Sequence, residues 1–284
     1  MSGCSRRQWF QLIRTVSTAF AFIVASGITA LACPATVPSG VTNCFYIDYA
    51  SGSDANNGSS ESTPWQHAPG MSNVNTGSVA ALHSPGAGEG WIFKGGVAVD
   101  YHAFPMNVPW GGASGRPDYM GYDSAWYAGS SWARPIFNGG GSGGYNAATQ
   151  SLVTDIAHHS SYVIVDNVEF TGLYFGSACS TSGPYTCGAV SQYGYSGNDV
   201  SWEIKNVYVH GWSHCSFSGA CSDPGNEASF LWVKQDTASS IHDSVIDGFD
   251  SSQDCCNAAA AWNEYNLYIA YVDNAVFGEI NLGV

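Results

Sequence analysis

Basic side chains are the scarcest chemistry in this 284-residue chain, with eight Lys and Arg against 22 Asp and Glu and a formal net charge of −14. Three of the eight (Arg6, Arg7 and Arg14) fall in the first 32 residues, which contain no acid. The remainder therefore sets five basic residues against 22 acidic ones, a net of −17. Such a field repels nucleic acid and anionic membrane, both of which need clustered Lys and Arg. It equally disfavours bare polyanionic glycans unless a cation bridges the charges. Charged residues of both signs make up only 11% of the chain, beside 34 glycines and 14% aromatics. That balance excludes coiled coils and long solvated helices and suits strands joined by turns. Gly-x-Ser-x-Gly, His-Glu-x-x-His, a Walker loop and a Rossmann glycine fingerprint are all missing, which excludes the chemistries those motifs serve. No Cys-x-x-Cys or Cys/His spacing matches a zinc site.

What is present begins with an export signal over residues 1–32. Its three arginines form a basic start, Val16 to Leu31 is apolar, and Ala30-Leu31-Ala32 is a small-residue cleavage site. Ser17, Thr18, Ser26, Gly27 and Thr29 interrupt the apolar stretch, so it does not read as a membrane span. Ser5-Arg-Arg-Gln-Trp-Phe10 is similar to a twin-arginine signal. Residues 33–284 form the mature domain, secreted or periplasmic. Eight cysteines remain there: Cys33, Cys44, Cys179, Cys187, Cys215, Cys221, Cys255 and Cys256. An even number in an exported chain reads as disulfides. Cys33 directly after the cleavage site also permits a lipoprotein anchor, which a Cys33–Cys44 bond would exclude.

Three octapeptides carry the fold. They are Val165-Asp-Asn-Val-Glu-Phe-Thr-Gly172, Ile204-Lys-Asn-Val-Tyr-Val-His-Gly211 and Ile241-His-Asp-Ser-Val-Ile-Asp-Gly248, starting 39 and 37 residues apart. Each has a β-branched residue first, Asn or Asp third, an apolar residue sixth and Gly last. A strand that cannot bury its own apolar face needs a copy above and below, so this period predicts an all-β solenoid, a parallel β-helix. Alternation points positions one, four and six inward. The third-position residues Asn167, Asn206 and Asp243 read as a turn-associated polar stack. A second apolar run follows each octapeptide or its loop (Ala189-Val190, and Phe230 to Val233), whereas residues 97–133 read as a long decorated loop. The loop after each repeat glycine holds two cysteines. Bonds 179–187 and 215–221 would close easily within loops, whereas a Cys255–Cys256 bond would be strained and a cross-rung bond such as Cys221–Cys255 is its alternative, so the sequence leaves the pairing open.

Near the start of the mature chain, Tyr46, Ile47, Gly52, Asp54, Asn57, Gly58, Pro64 and Trp65 spell a strand, a Gly-x-Asp-x-Asn-x-Gly-type turn and Pro-Trp. With the three repeats, this pattern resembles secreted right-handed parallel β-helix proteins of the pectate-lyase-like superfamily. The resemblance covers most of the mature chain and implies architecture. It implies no single activity, because that fold hosts lyases, hydrolases, esterases, epimerases and adhesins. The Asp-Asp, Gly-His-Gly and Arg-x-Lys set of a polygalacturonase is missing. The mature arginines, Arg116 and Arg134, lie outside the regular rungs, which disfavours a pectate lyase using an arginine base.

Stacked rungs set outward side chains in columns. Position two carries Asp166, Lys205 and His242, position five Glu169, Tyr208 and Val245, and position seven Thr171, His210 and Asp247. With rungs ~4.8 Å apart, Lys205, His210 and Asp247 are expected on one solvent-facing surface, with His210 beside Asp247. Lys205 or His210 would be a lyase base. Two carboxylates from Asp166, Glu169 and Asp247 would be a hydrolase acid and base. His242 belongs to the same acid-base set. Tyr174, Tyr208, Trp212 and Phe249 are the candidate sugar-stacking rings. Asp247, Asp250 and Asp254 form an oxygen-rich run that could hold Ca²⁺, although it lacks the order of an EF-hand loop. The expectation is a polysaccharide partner, bound and cleaved by a lyase or glycoside hydrolase. The alternative is a non-catalytic glycan-binding or adhesive surface protein. Residues 268–284 look like further rungs without a polar cap, which suggests a longer chain.

Overall fold

The computed structural model describes residues 33–109, 111–147, 150–154, 160–174, 188–193, 201–213, 229–234, 239–246, 265–270, 276–277 and 280–282. These residues are all-β with almost no helix, and every pairing between neighbouring strands of its three large sheets is parallel. The first sheet runs, in spatial order, Asn43–Ile47, Glu89–Gly95, Asp118–Tyr127, Val163–Asp166, Trp202–Lys205, Ser240–His242 and Val276–Phe277. The second runs Ala98–Val99, Ile136–Asn138, Glu169–Thr171, Tyr208–Val209, Ser244–Ile246 and Ile280–Leu282. The third runs Met106–Asn107, Val153–Thr154, Val190–Tyr193, Ser229–Lys234 and Tyr265–Ala270. From Glu89–Gly95 onward the chain thus visits the three sheets in rotation, adding one strand to each per circuit.

The octapeptides stack in register, Val165 on Ile204 on Ile241 and Glu169 on Tyr208 on Val245. They do not lie on one sheet, as the repeat alone suggested. Each folds over at its third residue, so its first part belongs to the first sheet and its remainder to the second. The cause is local: Asn167, Asn206 and Asp243 take φ of 58°, 53° and 51°. Asn and Asp tolerate this left-handed conformation better than other side chains. The expected polar stack is also different, because the Asn206 amide Nδ2 donates to Asp166 Oδ1 at 2.8 Å rather than to Asn167.

Positions one, four and six are buried in all three octapeptides: Val165, Val168 and Phe170; Ile204, Val207 and Val209; Ile241, Ser244 and Ile246. All but the polar Ser244 join one core with Trp91, Phe93, Met120 and Trp202 of the first sheet, Phe137 of the second, and Met106, Val153 and Val190 of the third. Phe137 bridges Phe93 and Phe170 edge-on, with centroids 5.0 and 5.4 Å away. The decorated loop read over 97–133 is in part paired, and it supplies strands to all three sheets. It contributes Ala98–Val99, Met106–Asn107 and the ten-residue strand Asp118–Tyr127. Its irregular composition hid the period because Gly121 leaves room for the Tyr119 ring and the register shifts between Phe93 and Gly95.

The strand-turn-Pro-Trp motif closes the first circuit. Trp65 stacks on Phe45 at 4.8 Å, exchanges backbone bonds with Tyr46 and Asp48, and gives its indole N–H to Asn56. A side chain at Gly58 would strike the Trp65 ring, and φ of 68° there already favours glycine. Cys33 is bonded to Cys44. The other six cysteines and residues 1–32 lie outside the described residues. Among those described, no helix is long and apolar enough to cross a membrane.

Candidate functional site

The bend at the third octapeptide residue splits the expected patch in two. Lys205 ends a strand of the first sheet and His210 follows a strand of the second, on the far side of the Asn206 turn. Asp247, Phe249, Asp250 and Asp254, and with them the Ca²⁺ run, lie outside the described residues. Among the described residues no group of three or more His, Cys, Asp or Glu could hold a metal ion.

On the first sheet, Glu203 joins what the sequence reading had left apart. Its Oε1 accepts from Lys205 Nζ at 2.9 Å and from His242 Nε2 at 3.1 Å, and His242 Nδ1 reaches Asp243 Oδ2 at 2.6 Å. Asp243, then Glu203, hold the imidazole pKa above its ordinary value against a partial burial that opposes them. Glu203 was findable, since residues two apart on a strand share a face. Asp166 stacks with Lys205 and His242 in the expected column, but it is not open to solvent. It is buried, accepting from Asn206 and from the Tyr119 hydroxyl at 3.2 Å. Burial, then the Asp166 charge, push the Tyr119 hydroxyl pKa well up. Asp166 is thus a structural acceptor, out of reach of a polymer.

The second sheet carries the other half. Glu169 Oε1 lies 3.0 Å from His210 Nε2, and both side chains are about a quarter exposed. The Tyr208 ring stacks on the His210 ring at 4.2 Å with 16° between planes. In-register pairing therefore sets Glu169 beside Tyr208 and, one diagonal step away, against His210. With Nε2 directed at the carboxylate, the ring is held in one orientation, and Nδ1 has no partner among the described residues. A carboxylate-oriented imidazole can accept or deliver a proton.

Two columns cross this face. Ala98, Ile136, Glu169, Tyr208 and Val245 stand opposite one another in successive strands, an apolar and aromatic stripe interrupted by one carboxylate. Beside it, Asn138 pairs with Thr171, and His210 continues that register. Asn138, Thr171 and His210 border an open depression of about 350 Å³ floored by the backbone of Gly140, Gly141, Gly172 and Gly211. Side chains at Gly172 or Gly211 would meet Asn138 or Thr171. The glycines keep the floor low. Asn138 was missed in the sequence, although Ile136-Phe-Asn-Gly139 repeats the second half of the octapeptide. Tyr174 is half-buried and its backbone bridges Asn146, while Trp212 lies in a two-residue strand beside Leu173.

No protein-family model matches this chain, and no curated protein matches it. Solved structures similar to it include two crystal structures of a GH136 lacto-N-biosidase from Eubacterium ramulus. The native protein matches at 18% identity and a TM-score of 0.38, over 71% of this chain and 36% of that one. The selenomethionine derivative matches at 14% identity and a TM-score of 0.36, over 85% and 52%. At these scores neither match carries an activity or a residue role to this chain, which spans at most about half of that protein.

Proposed function

We propose that the chain is an exported right-handed parallel β-helix protein of the pectate-lyase-like kind, and that it binds and hydrolyses a neutral polysaccharide. Rotation among three parallel sheets with a 37–39-residue period supports the architecture, and the Cys33–Cys44 bond suits an oxidising compartment. The observation that carries the functional reading is the oriented Glu169–His210 pair, with Tyr208 stacked on it, at the edge of an open polar depression. Sugars present C–H faces and hydroxyl rims. An apolar column beside a polar one, repeating every ~4.8 Å, offers a surface to each along a polymer laid across the strands. Neutral substrate follows from the charge, since a uronate polymer would meet a chain of net −14.

Glu169 is one of the two carboxylates that hydrolysis requires. The sequence repeat gives the next place in the His210 column to Asp247, beside His210, which makes it the candidate second carboxylate. His210 would hold Glu169 in place and take up a proton from the sugar side. A lyase route through His210 needs an acidic substrate and fits the charge less well. The second reading, glycan binding without cleavage, is favoured by one observation: the residues opposite Glu169 in the two adjacent strands are Ile136 and Tyr208, neither of them a carboxylate.

Incubation with a panel of neutral and uronate polysaccharides separates these readings. Reducing-end release with no ultraviolet-absorbing product indicates hydrolysis, and unsaturated product indicates a lyase. Binding without either leaves the non-catalytic reading. If hydrolysis is seen, Glu169→Gln should lower its rate by about 10²-fold or more while polymer retention on affinity gels persists. Unchanged rates in both Glu169→Gln and His210→Ala would remove this face as the site.

A further inference from the structure

A second polar cleft lies far along the sequence from the Glu169 face, in the segment that closes the first circuit. Asp54 sits in the turn after the first strand and is buried. Its Oδ1 accepts from the His67 backbone N–H at 2.8 Å. Its Oδ2 takes His67 Nδ1 at 2.7 Å and the Asn75 N–H at 3.3 Å. One carboxylate therefore clamps three points of the chain between 54 and 75. The clamp uses only one ring nitrogen of His67. With Nδ1–H given to Asp54, Nε2 is the ring nitrogen left to the cleft, an acceptor whenever the imidazole is neutral. Nε2 has no hydrogen-bond partner among the described residues. His67 is 8% exposed and lines a cleft of about 370 Å³ with Ser53, Gln66, Asn75, Thr76 and Ser78.

We infer that this cleft is a carbohydrate subsite, in which His67 Nε2 accepts a hydrogen bond from a hydroxyl of a single neutral sugar unit. The His67 ring is held by Asp54 and by an edge-on contact with Tyr49 at 5.3 Å, which fixes the imidazole at the wall of the cleft and leaves Nε2 outside the clamp. The lining holds no Lys or Arg and includes the Asp54 carboxylate itself, so an anionic ligand finds no counter-charge. No large apolar wall is present for a hydrophobic ligand. The volume falls in the range of small-ligand clefts, about 300–1,000 Å³. The choice of sugar rests on the glycan reading above, whereas the geometry of the cleft stands apart from it.

The test uses the methyl glycosides of glucose, galactose and N-acetylglucosamine, titrated into the intact protein while the His67 ring resonances are followed by NMR. At least one should shift them saturably. His67→Asn places an amide N–H where Nδ1–H donates, keeping the Asp54 clamp while deleting Nε2. It should weaken binding by about tenfold or more. Thr76→Trp, at the exposed rim, should block the cleft without touching the clamp, which covers the case in which His67→Asn does not fold. Because the readout is the His67 ring itself, loss of polymer cleavage at Glu169 and loss of glycoside binding in this cleft are separate outcomes. No shift with any of the three glycosides, or wild-type affinity in Thr76→Trp, would overturn the inference.

Discussion

Asp118 faces inward from the first sheet and is fully buried, opposite Glu89 in the neighbouring strand. Its Oδ1 accepts from the Gly88 and Glu89 amides, and Oδ2 has no partner among the described residues. Burial raises its pKa to about 6. The Glu89 charge adds to that rise, while the two amides and Arg116 work against it. For a raised carboxylate the linkage runs opposite to the common case. The unfolded chain ionises near 3.8, and the folded protein keeps its proton until about 6. Stability therefore falls as pH rises from about 4 to about 6, and the full penalty persists above that window. A displacement of this size corresponds to at most ~3 kcal/mol. Asp118→Asn keeps the amide-accepting oxygen and loses the charge. It should raise the denaturation midpoint at pH 8, with the gain shrinking towards nothing at pH 4. An equal gain at both pH values would place the effect in packing rather than charge. Nothing in the sequence marked this residue, because an Asp between Pro117 and Tyr119 reads as a turn.

At the scale of the element, the octapeptide bend is the device that makes two sheets from one repeat. Asn167 and Asn206 have nearly the same φ, yet their side chains differ in what they do. Asn206 donates to buried Asp166, while Asn167 Oδ1 is buried without a partner among the described residues. Asn206→Gly keeps the backbone conformation but removes a donor from a buried carboxylate, and should cost ~1–3 kcal/mol. Asn167→Gly should be near neutral. Asn206→Ala should cost a further ~1–2 kcal/mol for a left-handed Ala. Chemical denaturation of the three variants gives the order, and equal losses at 167 and 206 would refute it. The Asn or Asp at position three was legible from the start. Its consequence was not. Period-two alternation says which side chains face inward, and Val165, Val168 and Phe170 obey it on both sides of the bend. It carries no information on where a strand turns to a new sheet, so columns two and seven looked like one surface.

Across the whole molecule, the spacing of repeats predicted parallel, in-register strands well because stacking identical apolar positions is the main way such strands bury surface. The site was legible only by pairs. Glu169, Tyr208 and His210 were named and are together, whereas Glu203, Asn138, Asp54 and His67 needed contacts between residues up to 39 positions apart. Charge is the one site property that composition conveys whole. With five basic residues against 22 acidic ones after residue 32, and Lys94 and Lys205 both tied to carboxylates at 2.7 and 2.9 Å, little free cation remains to hold an anionic polymer. Binding at the Glu169 face should then rest on stacking against Tyr208 and on neutral hydrogen bonds, which salt screens little. Affinity for a neutral polysaccharide should change less than about twofold between low salt and ~0.15 M, where the Debye length is about 8 Å. Binding to polygalacturonate or heparin should be undetectable at either. A neutral ligand whose affinity falls steeply with salt would show that charge steers it, and tight polyanion binding would show that cations hold it. Either result would move the site away from the Glu169 face.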